Sequence, residues 1–176
     1  ALSLSQNGTL HANGTRFVSN VAAGYGGAVH MDGGIAQFDA CVFDANRASM
    51  GGGAIHVVRG SAQLRQRSLM VGNTVAGRGS AITIGESAHV IYQLPCPLGR
   101  YATAVPGTSE WQTKDSVRLL PTAQYTDYPP ACAPGLYGKT EALSDQSGPQ
   151  CSGECWAGHF CPMGTVTPRR CGRGTF

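Results

Sequence analysis

The chain has 176 residues, of which 25 are Gly and only 13% are charged, and its formal net charge is +3. An apolar fraction of 41% excludes a disordered chain, and a small charge carried by scattered basic residues argues against nucleic-acid binding. No stretch reaches the roughly 18–20 apolar residues that a membrane-spanning helix needs.

The opening Ala1-Leu-Ser-Leu-Ser5 has neither the basic nor the apolar region of a signal peptide. It enters a coil already under way, so the chain is expected to be an internal piece of a longer protein. Next come two Asn-Gly-Thr sequons, at Asn7 and Asn13, which are candidate N-glycosylation sites.

From Phe17 the sequence repeats itself. Phe17-Val-Ser-Asn20, continuing to Gly26-Gly-Ala-Val29, returns as Phe43-Asp-Ala-Asn46, continuing to Gly52-Gly-Ala-Ile55. A third, altered copy runs from Leu69-Met-Val-Gly-Asn73 to Gly79-Ser-Ala-Ile82, and the Asn-to-Asn steps are 26 and 27 residues. Gly34-Ile-Ala-Gln-Phe38 likewise matches Gly60-Ser-Ala-Gln-Leu64. A period of this length marks a stack of coils, because one repeat alone cannot bury its apolar face.

Each period holds three short apolar runs divided by Gly, Asn and Asp, which read as strands joined by turns. One run surrounds the Phe and Asn, one the Gly-Gly-Ala-Ile, and one the Ala-Gln-Phe/Leu. Three strands per period predict a triangular coil whose equivalent residues stack roughly 4.8 Å apart. Val29, Ile55 and Ile82 are then an inward aliphatic ladder, and Phe17 with Phe43 an aromatic one. Asn20, Asn46 and Asn73 suit a turn, where Asn accepts a left-handed backbone or bonds its neighbours. Glycines 26–27, 52–53 and 79 mark corners too tight for a side chain. Cys41, two residues before Phe43, is expected to be a buried free thiol.

The Phe-x-x-Asn-x-Ala…Gly-Gly-Ala-Ile pattern resembles the right-handed parallel β-helix of pectin-lyase-like proteins, and within it the repeats of polymorphic outer-membrane and adhesin-type surface proteins. That resemblance implies an all-β fold of about three coils over residues 1–93.

The composition changes at Gln93-Leu-Pro-Cys96. Six cysteines follow, Cys96, Cys132, Cys151, Cys155, Cys161 and Cys171, against a single one before. Five stand in Cys-x-x-Gly phrases, among them Cys132-Ala-Pro-Gly-Leu-Tyr137, Cys155-Trp-Ala-Gly-His-Phe160 and Cys171-Gly-Arg-Gly-Thr-Phe176. No Cys-x2-Cys pair supports a zinc site, and a small loop-rich region needs covalent staples, so all six are candidate disulfide cysteines in an oxidising setting. Their 15 possible connectivities are not resolved by sequence. The expectation is that Cys151, Cys155 and Cys161 pair outward, that Cys96 with Cys132 closes a loop, and that Cys171 is open to a partner beyond the chain. The phrase resembles the ephrin-receptor-like cysteine-rich repeat, related to EGF-like modules, found in large surface proteins of protists and algae. It is assigned to residues 132–176, with 94–131 as a connecting segment that covers the last coil. In that segment, Trp111, Tyr125 and Tyr128 are candidates for stacking on sugars, as is Trp156 beyond it, though packing over disulfides is the commoner role.

Chemistry finds little support. Within the repeats the acids are Asp32, Asp39, Asp44 and Glu86. A 26-residue step maps Asp32 to Val58, Asp39 to Arg65 and Asp44 to Met70, so no acidic column forms to supply the paired carboxyls of glycoside cleavage. No Gly-x-Ser-x-Gly elbow is present for Ser-His-Asp chemistry. His30 and His56 share a repeat position with Thr83 next, close enough to share an ion, yet no carboxylate recurs beside them. They read as surface repeat residues, and no catalytic residue, cofactor or metal is assigned. The expected role is a structural or adhesive segment of a large extracellular or cell-surface glycoprotein, with other modules of the same chain, matrix proteins or glycans as partners. A polysaccharide-binding or polysaccharide-cleaving β-helix and a ligand-binding receptor ectodomain are the alternatives.

Overall fold

A computed structural model describes residues 1–102, 115–121 and 125–174, and in it the chain folds as a β-solenoid of about three turns followed by a loop-rich, disulfide-linked region. The first coil contains β1 (Leu2–Leu4), β2 (Thr9–Asn13), β3 (Arg16–Val18) and β4 (Val21–Ala22). The second contains β5 (Val29–Asp39), β6 (Val42–Asp44) and β7 (Arg47–Ala48). The third contains β8 (Ile55–Arg65), β9 (Leu69–Val71), β10 (Thr74–Val75) and β11 (Arg78–Gly79), and β12 (Ile82–Gln93) opens one more rung.

Three sheets result, as three runs per period require, but their division differs from the expected one. The Ala-Ile and Ala-Gln-Phe runs fuse into single strands of 11 residues, β5 and β8. These bend, without ending, at Gly33–Gly34 and Gly60, where φ is positive and the pairing shifts register. Conversely, the Phe–Asn run is cut in two, into β3 and β4 and their counterparts. The cut falls at Ser19, Ala45 and Gly72, all in left-handed conformation. The left-handed residue is therefore the one before each Asn, and the Asn itself serves another purpose.

Pairing between coils is parallel and in register, with Val29 opposite Ile55 and Ile55 opposite Ile82. Side chains on one face of each strand thus form columns. Ala12, Phe38, Leu64 and Tyr92 make one, and Met31, Val57 and Ile84 another, all buried. Phe17 and Phe43 stack with centroids 4.6 Å apart and planes 5° from parallel, while the edge of Phe43 meets Phe38. In the third coil Met70 takes the aromatic position, opposite Phe43. The step has lengthened by one residue in the Gln66–Arg67 turn, so Asp44 faces Val71 where a fixed 26-residue step placed Met70. A bulge likewise brings Asp32 opposite Arg59 in place of Val58.

The Asn column is a ladder of side-chain amides. Asn20 Nδ2 and backbone N–H both donate to Asn46 Oδ1 (2.9 and 3.0 Å), and Asn46 does the same to Asn73. The Nδ2 of Asn46 also donates to the Phe17 carbonyl and that of Asn73 to the Phe43 carbonyl. The Asn46 and Asn73 amides satisfy main-chain groups left unpaired where the strand breaks, which is why a polar residue can be fully buried at those two positions.

The corner glycines obey a contact rule. A Cβ on Gly27 would lie 2.0 Å from the Gly53 carbonyl oxygen, and one on Gly53 would lie 2.6 Å from that of Ser80. Each must be Gly because the coil above lies against it. Ser80 stands in the last copy, where that constraint ends.

All three sheets finish in chain running the other way. β13 (Ser116–Leu119) pairs antiparallel with β12, and β11 pairs antiparallel with β10. Tyr128 bridges Met70 and Tyr125 bridges Ile82, also antiparallel. Tyr92, Tyr125 and Tyr128 pack edge to face over this end. Trp111 of the connecting segment lies outside the described residues.

Past Cys132, order comes in small pieces. β14 (Leu136–Tyr137) pairs with β15 (Gly153–Glu154), and β16 (His159–Phe160) with β17 (Arg169–Arg170), around the four-residue helix α1 (Leu143–Gln146). The Cys-x-x-Gly phrase is a turn whose Gly takes positive φ, as at Gly99, Gly135, Gly158, Gly164 and Gly174. At Gly135 and Gly158 a two-residue strand comes directly after.

Candidate functional site

The acidic residues were the first candidates for chemistry, and the coils hold three of the four, Asp32, Asp39 and Asp44, in ion pairs, while Glu86 is exposed. Asp39 accepts two hydrogen bonds from the Arg65 guanidinium (2.8 and 2.9 Å), directly across one rung. Asp32 accepts from Arg59 at 2.9 Å, and Asp44 lies 3.8 Å from Arg16. Where a catalytic β-helix would need two carboxyls converging on one bond, these carboxylates each face an arginine of the neighbouring coil. Being at least partly exposed, such pairs add little stability one by one. They do fix register, because a one-residue slip would break every pair together.

His30 and His56 are brought together as their repeat position implies. Their rings lie 11° from parallel with centroids 5.2 Å apart, and they meet edge to edge with their Nδ1 atoms 3.1 Å apart. Burial lowers the proton affinity of His56, and the neighbouring His30 lowers it further. Sequence reasoning missed Tyr25, whose ring stacks on His56 at 4.5 Å. It stands opposite Gly51 in the next coil. Thr83, next in the column, uses its hydroxyl to accept from the Gly52 N–H at 2.9 Å.

The cysteines pair differently from expectation. Cys132 joins Cys151, and Cys155 joins Cys161, its near neighbour. The outward pairing of Cys155 and Cys161 and the Cys96–Cys132 closure are both replaced. Cys96 is fully buried and unpaired, with its thiol pushed up to about 12 by burial. A different lock takes the place of the Cys96–Cys132 bridge. The buried Gln146 amide accepts from Cys96 N–H (2.9 Å) and donates to Cys96 C=O (2.8 Å), pinning α1 to the chain leaving the solenoid. Arg67 and Glu141 add a forked ion pair across the same junction, which holds the Glu141 carboxyl below its usual range. Cys171 is half-buried and unpaired, and Cys41 is a buried free thiol, held up in pKa mainly by burial.

Asn7 and Asn13 are both exposed, Asn7 in a turn and Asn13 at the end of β2. Trp156 packs its edge against Tyr137 and donates to the Tyr137 hydroxyl at 3.3 Å, so it is engaged beside the disulfides while remaining 49% exposed. Tyr125 and Tyr128 are buried against the last coil, which removes them as sugar platforms. No helix among the described residues is long and apolar enough to cross a membrane.

Comparisons of the chain with protein families, with curated proteins and with solved structures give no match.

Proposed function

We propose that this chain is a non-catalytic structural or adhesive segment of a large extracellular or cell-surface glycoprotein. In this reading a right-handed, pectin-lyase-like β-helix serves as a stiff rod, and an ephrin-receptor-like region finishes it and joins it to the next module. The observation that carries the proposal is the fate of three of the four acids in the repeats. Asp32, Asp39 and Asp44 are each committed to an arginine of an adjacent coil, so the coils invest their charge in register. The two disulfides support an oxidising compartment, and the exposure of both sequons suits passage through the secretory pathway. Matrix proteins, glycans or neighbouring modules are the partners such a rod would present itself to.

The test is to produce the chain in a secretory host and incubate it with acidic and neutral polysaccharides, following both unsaturated products and new reducing ends. No cleavage is expected. Cleavage that disappears in Asp39→Asn would replace this reading with that of a polysaccharide-cleaving enzyme. On the same material, a mass shift on glycosidase treatment, lost in Asn7→Gln or Asn13→Gln, is the expected sign of secretory processing.

A further inference from the structure

Repeat spacing places His30 and His56 one rung apart; the fold goes further and turns their Nδ1 atoms to face each other at 3.1 Å. At that distance one proton fits between the two nitrogens, and two do not. The rings are held in this arrangement. Cα pairing sets His30 opposite His56, and Tyr25 stacks on one ring at 4.5 Å and leans on the other at 6.2 Å.

The separation is also one that a metal ion imposes. Two nitrogens bound to a common ion at ~2.0–2.1 Å lie about 2.9 Å apart at a right angle and about 3.4 Å apart at the tetrahedral angle. We propose that the His30–His56 pair binds a divalent first-row transition ion, which takes one Nδ1 from each coil while the proton shared between them moves to the Nε2 of the ring that carried it. Imidazole nitrogens favour such ions, with Cu2+ ahead of Ni2+ and Zn2+. Binding requires the neutral form of both rings. The column neighbours Ser3 and Thr83 carry no charge that would repel a cation. Among the described residues no third His, Cys, Asp or Glu joins the pair. The remaining coordination positions are therefore left to water or to a donor from another molecule. Both rings are only half-buried, which leaves a hydrated ion a way in.

The experiment titrates Cu2+ into the untagged full chain carrying Cys171→Ser, which removes the one partly accessible free thiol among the described residues. Calorimetry is expected to give one equivalent bound, and electron paramagnetic resonance a spectrum with two imidazole nitrogens. Zn2+ should compete and Mg2+ should not. His30→Ala and the size-preserving His56→Gln should each weaken binding at least about ten-fold. Joint replacement of His11, His89 and His159 by Gln should leave it intact. The proposal is overturned by absence of Cu2+ binding, by a spectrum with fewer than two nitrogens, by affinity that survives either single variant, or by affinity that disappears only in the triple one. The spectrum of the chain with both histidines intact is decisive even if a variant folds poorly.

Discussion

In the coils, Phe43, Ile55 and Val57 are completely buried, and the only cysteine there is a free thiol. Beyond Cys132 two disulfides close short loops, while Trp156, Phe160 and Met163 remain 49%, 46% and 69% exposed. The solenoid gains order by repetition: every rung is the template for the next, so each column buries apolar area on both sides. The cysteine-rich region has two-residue strands with nothing to stack on, and it must restrict its unfolded chain by covalent links instead. The lesson is that periodicity and disulfides are alternative answers to the same entropy cost, placed side by side in one chain.

Four perturbations would break or sharpen this contrast. The largest effect is expected for Phe43→Ala, which empties the centre of the aromatic column and should cost about 3–5 kcal/mol. Denaturant unfolding followed by tyrosine fluorescence measures it, and a cost near zero would mean that the columns are not what holds the coils.

Removing the Cys132–Cys151 bridge with a paired Ser substitution comes next, at about 3 kcal/mol for a loop of this size. Hydrogen exchange should show the loss confined to the region after Pro130, with β5 and β8 still protected. Loss of protection in the coils would show that the two regions fold as one.

Asn46→Ala strips two main-chain groups, the Phe17 carbonyl and the Asn20 N–H, of their partner and should cost about 2 kcal/mol. The matching change at exposed Asn13 should be silent in the same thermal melt.

The smallest effect is the pH response. The proton affinity of His56 is lowered on folding, so below its unfolded pKa of about 6.5 the unfolded chain binds more protons than the folded one. Stability is therefore full above about pH 6.5 and falls as pH drops from there through the lower folded value. His56→Gln should flatten that decline, and an unchanged profile would contradict the assignment.

Much of the solenoid could be read before folding because its signals occur more than once. Val29, Ile55 and Ile82, the Phe17–Phe43 stack and the three Asn residues are repeated choices, and repetition reveals a common environment. What escaped was whatever depends on a single copy or on distant contact. Tyr25 has Gly51 as its counterpart, so no periodicity flagged its stacking on His56. The extra residue in the Gln66–Arg67 turn was already legible in the 27-residue step from Asn46 to Asn73, and a constant step of 26 that carries Asp44 to Met70 overlooks it. Whether a glycine bends or ends a strand depends on whether its neighbours keep their pairing, and that is decided between coils. Disulfide partners and the Gln146–Cys96 lock join residues far apart in sequence whose proximity no local pattern records. Of the candidate site, the stacked position of His30 and His56 was legible; the facing of their Nδ1 atoms was not.

The reversed chain at the end of the solenoid has a consequence for assembly. A stack of parallel rungs resembles a one-dimensional crystal, able in principle to extend through any copy offering the same lattice. Here β13, β11 and the Tyr125 and Tyr128 bridges present strands of opposite polarity on that terminal facet. A further rung of the same sense would meet mismatched hydrogen-bond phase on all three sides at once. The facet thus acts as a chain terminator at this end of the stack, denying a seed to fibrous growth there.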